Sequence, residues 1–277
     1  MSHEIAFTSP CSYALNCSTL LTERPLLDRP QAAKEQGFSS VEYWWPFDGN
    51  PTPSDEEVNT FIDTLEKAGV RLTGLNFWAG DMSRGDRGMV SVKGRCADFA
   101  KNAEIVAEIG RRTGCRDFNA LYGLRQDGQS PQAQDDVAVQ NLIVAAQAVQ
   151  SIGGTVLLEP VSGAGGYPLK VADDALKVID KVRASGARNI AFLADFFHLA
   201  VNGDDVSALI EKHAGQFGHI QIADAPGRGA PGTGDLPLEQ WINRTYELGY
   251  RGGVGLEYKQ EEETAFDWLR ETVQPAH

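Results

Sequence analysis

Four short apolar runs in the second half of the chain each deliver one polar side chain at or near the end of the run. Glu159 closes TVLLE, Asp195 closes AFLAD, Gln221 lies within HIQIA, and Glu257 closes GVGLE. Read as strands, these runs turn alternate side chains to opposite faces, and the four polar residues share parity with Leu157, Leu193, Ala223 and Gly255 respectively. One inward register therefore fits all four. Three carboxylates gathered in a low-dielectric site repel one another, which makes a bound divalent metal the economical way to hold them. The ligand atoms of Glu159, Asp195, Gln221 and Glu257 would all be oxygens, a set that suits Mg2+ or Mn2+ better than Zn2+, which prefers His or Cys. Taken singly, each carboxylate reads equally well as a helix N-cap or a buried, paired acid. The shared register is what favours a site.

Such a convergence needs a parallel sheet whose strands all end at one rim. Short β-like runs near residues 12–16, 38–45, 71–76, 115–121, 154–159, 190–195, 218–223 and 253–257 alternate with longer helical patterns. The helices are expected from Arg24 to a stop at Gly37, through Ala68, over 95–113, 137–152, 171–184, 204–213 and 238–248, with a last one through Leu269. About eight such repeats in 277 residues predict an α/β fold, a single-domain (β/α)8 TIM barrel over 1–277 whose reactive groups sit at the C-terminal strand ends. An open doubly wound sheet is the runner-up, but it lacks a nucleotide-binding first unit. The string Gly227-Arg228-Gly229-Ala230-Pro231-Gly232 only mimics one, because Pro231, Gly232 and Gly234 postpone any helix to about Pro237. Gly253 and Gly255 share the parity of Glu257, so the barrel beneath that carboxylate is expected to hold room for a ligand.

Composition narrows the partners. With hydrophobics at 42%, charged residues at 23% and a net charge of −13, the chain can build a sizeable core but offers no basic face to nucleic acid. A small-molecule substrate is expected, and an anionic one needs a bound cation or a single placed Arg. Cys11, Cys17, Cys96 and Cys115 form no CxxC pair, MSHEIAF is not a signal sequence, and no apolar run approaches the roughly 20 residues of a membrane span. These features predict a cytoplasmic protein with reduced thiols and no membrane partner; assembly into a homo-oligomer is left open.

Several neighbours have two readings. Asp224 is one residue out of register with Gln221 and should point into the following turn as a structural residue. His198, just past a strand end, either reaches a substrate oxygen or caps and packs, while His213 and His219 read as structural. Glu42 either joins the site or pairs with a cation, and Tyr43, Trp44 and Trp78 either exclude water from the site or belong to the core.

Taken together, NCSTLLTE at 16–23, Val41-Glu42, NFWAGD at 76–81, Leu158-Glu159-Pro160, DFFH at 195–198, the stretch His219 to Asp235 and Leu256-Glu257-Tyr258-Lys259 resemble the hydroxypyruvate isomerase family of the sugar isomerase/epimerase barrels. The resemblance spans nearly the whole chain. It implies Glu159, Asp195, Gln221 and Glu257 as metal ligands, Glu159 and Glu257 as the acid–base pair, and His198 and Arg228 as substrate contacts, with Arg228 meeting a substrate carboxylate. The implied reaction takes hydroxypyruvate to tartronate semialdehyde through an enediolate. Phe197 stands where the family usually carries an aromatic hydroxyl, and Val161-Ser162-Gly163 where it often carries Asn or Arg. These departures leave the exact acid open, with a 2-oxo-tetronate-type isomerase or ketose 3-epimerase as alternatives within the class. A non-catalytic sugar-acid-binding protein is the alternative from another class.

Overall fold

The computed structural model describes residues 12–270; Cys11 and the N-terminal heptapeptide lie outside the described residues. The strands are β1 (Tyr13–Asn16), β2 (Ser40–Tyr43), β3 (Arg71–Asn76), β4 (Asp117–Asn119), β5 (Thr155–Leu158), β6 (Ile190–Asp195), β7 (Phe217–Ile222) and β8 (Val254–Leu256). All neighbours pair in parallel, and β8 pairs with β1, which closes the barrel. The α-helices are α1 (Arg29–Glu35), α2 (Asp55–Ala68), α3 (Cys96–Thr113), α4 (Pro131–Gln150), α5 (Ala172–Ala184), α6 (Phe196–Val201), α7 (Val206–His213), α8 (Leu238–Glu247) and α9 (Asp267–Arg270).

Local chemistry explains most boundaries. Ser54 and Glu57 form a reciprocal capping box at the start of α2, and Gly69 ends that helix with φ 66, a left-handed turn that costs glycine little. The α4 helix begins at Pro131 behind the Ser130 cap, a full turn and more before the expected Val137. The stretch after Arg24 first makes a short 3-10 turn over Leu26–Asp28, so the helix proper waits for Arg29. The last expected helix is reduced to α9, because the residues before it form turns.

Strand alternation sorts the core. Ile220, Ile222, Val254 and Leu256 are buried in the continuous apolar layer under the helices. Leu157 and Leu193 are equally buried but stand outside that layer, as residues inside the barrel should. No helix among the described residues is long and apolar enough to cross a membrane.

Candidate active site

The four expected residues all lie at, or within one residue of, the C-terminal end of their strand. Asp195 is the last residue of β6 and pairs in register with Gln221 of β7, which in turn pairs with Gly255 of β8. Gln221 is thus level with Gly255, two residues short of Glu257, and lies deeper in the barrel. Glu159 and Glu257 each follow the last residue of their strand. All four are buried: Glu159 is 6% exposed, Asp195 1%, Gln221 4% and Glu257 5%, so none has bulk water to carry its charge or polarity.

Each side chain is held differently. Glu257 receives the Asn16 Nδ2 amide on Oε2 at 3.3 Å, and on Oε1 the Trp44 indole at 3.2 Å and Arg228 Nη2 at 2.6 Å. Arg228 Nε also donates to the Glu257 carbonyl at 3.1 Å, so two of its nitrogens are committed to that residue. The Asn119 amide donates to the Glu159 carboxylate, and the Tyr167 hydroxyl donates to the Glu159 carbonyl at 3.2 Å. Asp195 Oδ1 accepts the His198 backbone N–H at 2.9 Å and thereby caps α6, which leaves β6 without an intervening turn. Ser162 clamps the His198 ring: its N–H donates to Nδ1 at 3.1 Å and its Oγ lies 2.7 Å from the same atom. The Nε2 edge then faces Asp195 Oδ2 at 3.8 Å.

Gln221 has one end tied and one end free. Its Nε2 donates to Glu42 Oε2 at 3.0 Å, while its buried Oε1 has no hydrogen-bond partner. Glu42 also forms an ion pair with His219 Nε2 at 2.5 Å, so it sits inside the barrel as the partner of a structural His. This arrangement corrects the expectation for the glycines. A Cβ on Gly255 would lie 2.5 Å from Glu42 Oε2 and 2.9 Å from Gln221 Cγ, so the room made by the glycine is filled by those side chains, not left for a ligand. Asp224 points into its own loop as expected, accepting N–H groups from Ala225, Gly232 and Leu236 at 2.8, 2.9 and 3.0 Å.

Burial, followed by the Glu257 and Asp195 charges, pushes the Glu159 carboxyl well above the ordinary carboxylate range. Burial likewise raises Glu257, against the pull of Arg228, to about 7. The His198 imidazole is driven down to about 4 by burial, so it is neutral near pH 7, an N–H donor at Nε2. Glu159, His198, Arg228 and Glu257 line one cavity of about 410 Å3, together with Trp44, Asn76, Arg87, Ser162 and Lys259.

As the side chains lie, no three His, Cys, Asp or Glu among the described residues stand close enough to enclose a metal ion. The donor chemistry nevertheless suits a hard cation. Three carboxylates share the rim, and the unpartnered Gln221 Oε1 is a buried acceptor oxygen anchored through its own amide nitrogen.

Asn16, Asn119, Ser162 and Arg87 had no site role in the sequence reading, although Asn16 and Ser162 stand in stretches it singled out. The signal was available for the asparagines, since Asn16, Asn76 and Asn119 are the last residues of β1, β3 and β4, where polar groups sit at the catalytic rim of this architecture. Trp44 faces the cavity, whereas Tyr43 and Trp78 are core residues at 1% and 2% exposure.

Residues 30–272 match the family described as Xylose isomerase-like TIM barrel. A Streptomyces coelicolor protein provisionally named hydroxypyruvate isomerase is 45% identical over 93% of this chain and 95% of its own. The 2-oxo-tetronate isomerase of Haemophilus influenzae is 30% identical over 93% of this chain and 98% of its own. Among solved structures, one described as an AP endonuclease, family 2, from Brucella melitensis superposes with a TM-score of 0.84 at 30% identity, covering 94% of this chain and 98% of the other.

Proposed function

Because the chain belongs to the xylose isomerase-like TIM-barrel family and is an isomerase of small hydroxy-oxo acids by its relatives, we propose that it interconverts hydroxypyruvate and tartronate semialdehyde. The observation that carries this reading is the pair Glu159 and Glu257, two buried carboxyls with raised proton affinity on one cavity. Glu257, at about 7, can hold or release a proton near neutral pH, and burial shifts Glu159 in the same direction, as an acid–base pair requires. In the proposed reaction one glutamate takes a proton from the hydroxymethyl carbon and the other delivers one to the adjacent carbonyl carbon, while the hydroxyl proton passes to the former carbonyl oxygen. Neutral His198, fixed by Ser162, donates Nε2–H toward a substrate oxygen, and Arg228 keeps Glu257 in place while facing the same cavity. Burial of the rim excludes water that would otherwise quench the carbanionic charge.

Glu159, Asp195, Gln221 and Glu257 would hold Mg2+ or Mn2+ through oxygen. When bound, the cation supplies Lewis-acid stabilisation of the charge that builds on the substrate oxygens. A cytoplasmic setting belongs to the same reading, supported by free thiols at Cys17, Cys96 and Cys115. The endonuclease description of the Brucella structure fits this chain less well, since a net charge of −13 and an oxygen-rich rim offer neither a basic groove nor a histidine-rich zinc cluster.

The deciding experiment follows hydroxypyruvate isomerisation after exhaustive chelation and again after adding Mg2+ or Mn2+. Turnover is expected to vanish and return; full turnover in demonstrably metal-free protein would refute the cation role, and no turnover in either state would refute the reaction.

A further inference from the structure

Three cationic side chains line the cavity, Arg87, Arg228 and Lys259, and they are not equally available. Arg228 is committed to Glu257 through Nε and Nη2, at 3.1 and 2.6 Å. Turning it onto a substrate carboxylate would strip a buried carboxylate of its counter-charge. Lys259 is exposed, and a hydrated ammonium on a free stem is a poorly oriented partner.

Arg87 differs from both. It lies in the segment between β3 and α3, half-buried, and its Nη1 donates to the carbonyls of Met82 at 3.0 Å and Asp86 at 2.7 Å. Those two bonds fix the plane of the guanidinium and use the Nη1 hydrogens. The Nε–Nη2 edge, which matches the two oxygens of a carboxylate, has no hydrogen-bond partner among the described residues, and no carboxylate there forms an ion pair with Arg87. The segment itself is clamped. The Arg87 carbonyl accepts Gly123 N–H at 3.1 Å, and Gly88 packs so closely on the chain after β4 that a Cβ would lie 2.0 Å from the Leu121 carbonyl oxygen. Arg87 also borders a second cavity, where Arg84 and Arg95 are balanced in part by Asp81 and Asp86.

The cavity is therefore polarised, with acid–base carboxyls at its base and an oriented, unpaired guanidinium on its wall. We propose that Arg87 binds the carboxylate of the substrate and so selects hydroxy-oxo acids over uncharged hydroxy-ketones, leaving Arg228 to position Glu257. This rests on the hydroxy-oxo acid reading above.

The test compares wild type with Arg87→Met on hydroxypyruvate and on dihydroxyacetone, which keeps the hydroxy-ketone but lacks the carboxylate. Hydroxypyruvate binding by calorimetry is measured in parallel. The variant is expected to lose roughly 10- to 100-fold in KM and Kd for hydroxypyruvate, the scale of one charge-assisted bidentate contact, and less than about threefold in kcat/KM for dihydroxyacetone. Arg87→Lys, which keeps charge but not the fork, should lose less, and it serves as the readout if Arg87→Met folds poorly. Equal losses on both compounds, unchanged hydroxypyruvate binding, or a wild type that does not favour the acid would overturn the assignment. A wild type that binds hydroxypyruvate through Arg87 without isomerising it would instead overturn the proposed reaction and leave this inference standing.

Discussion

At the scale of single residues, Glu257 carries the most. Asn16, Trp44 and Arg228 all donate to its carboxylate, and its proton affinity lies near neutrality, at about 7. Glu257→Gln keeps the volume and one acceptor oxygen but cannot take a proton. Its kcat is expected to fall by roughly 10²-fold or more while bound metal drops only modestly. Metal content and turnover must be read on the same preparation. Near-normal kcat in a metal-saturated variant would remove Glu257 from proton transfer and leave Glu159 with another group to perform both steps.

At the scale of elements, β2, β7 and β8 share one polar seam inside the barrel. Glu42 bridges His219 and Gln221, and Gly74 and Gly255 make the space that Glu42 occupies. The β8 strand cannot shift to relieve an added methyl, because it is laddered to β1 on one side and β7 on the other. Gly255→Ala is therefore expected to cost about 1–3 kcal/mol of stability, the scale of overpacking a tight interior, and to lower turnover by displacing Gln221. Denaturant unfolding together with an activity assay checks this; a variant with wild-type stability and activity would show that the seam yields freely.

At the scale of the whole molecule, the two ends of the barrel hold different chemistry. Opposite the catalytic rim, a cavity of about 390 Å3 is lined by Arg71, Arg116, Asp117 and His219. Burial raises Asp117 above its ordinary carboxyl value of 3.8, with His219 opposing and Glu42 reinforcing the shift. A carboxyl with a raised folded-state pKa favours the fold while protonated in both states and loses that contribution as pH rises through the folded value. Asp117→Asn does not titrate. Relative to this variant, wild type should be at its most favourable below 3.8 and lose ground as pH rises toward neutrality. Unfolding free energies at acidic and neutral pH measure the change, and a constant difference between the two proteins would contradict it.

What the amino-acid sequence by itself determined is what a local period can determine. Alternation in β6, β7 and β8 aims Asp195, Gln221 and Glu257 inward, because successive side chains on a strand must take opposite faces. Glycine and capping residues likewise marked most helix ends, since those bonds close within a few residues. The same strand-end logic reaches Asn16 and Asn119, the last residues of β1 and β4. The helix N-cap reading open to each carboxylate holds for Asp195, but α6 itself was not expected, because strand passes into helix with no turn residue between them. Tertiary structure alone decided the partners. Gln221 meets Glu42 across 179 positions and Asn16 meets Glu257 across 241, and only closure of the barrel brings such distant strands side by side. It also decided that the space over Gly255 is filled, and that Arg228 is paired with Glu257 while Arg87 meets no carboxylate among the described residues, because occupancy and pairing depend on which side chains arrive from other strands.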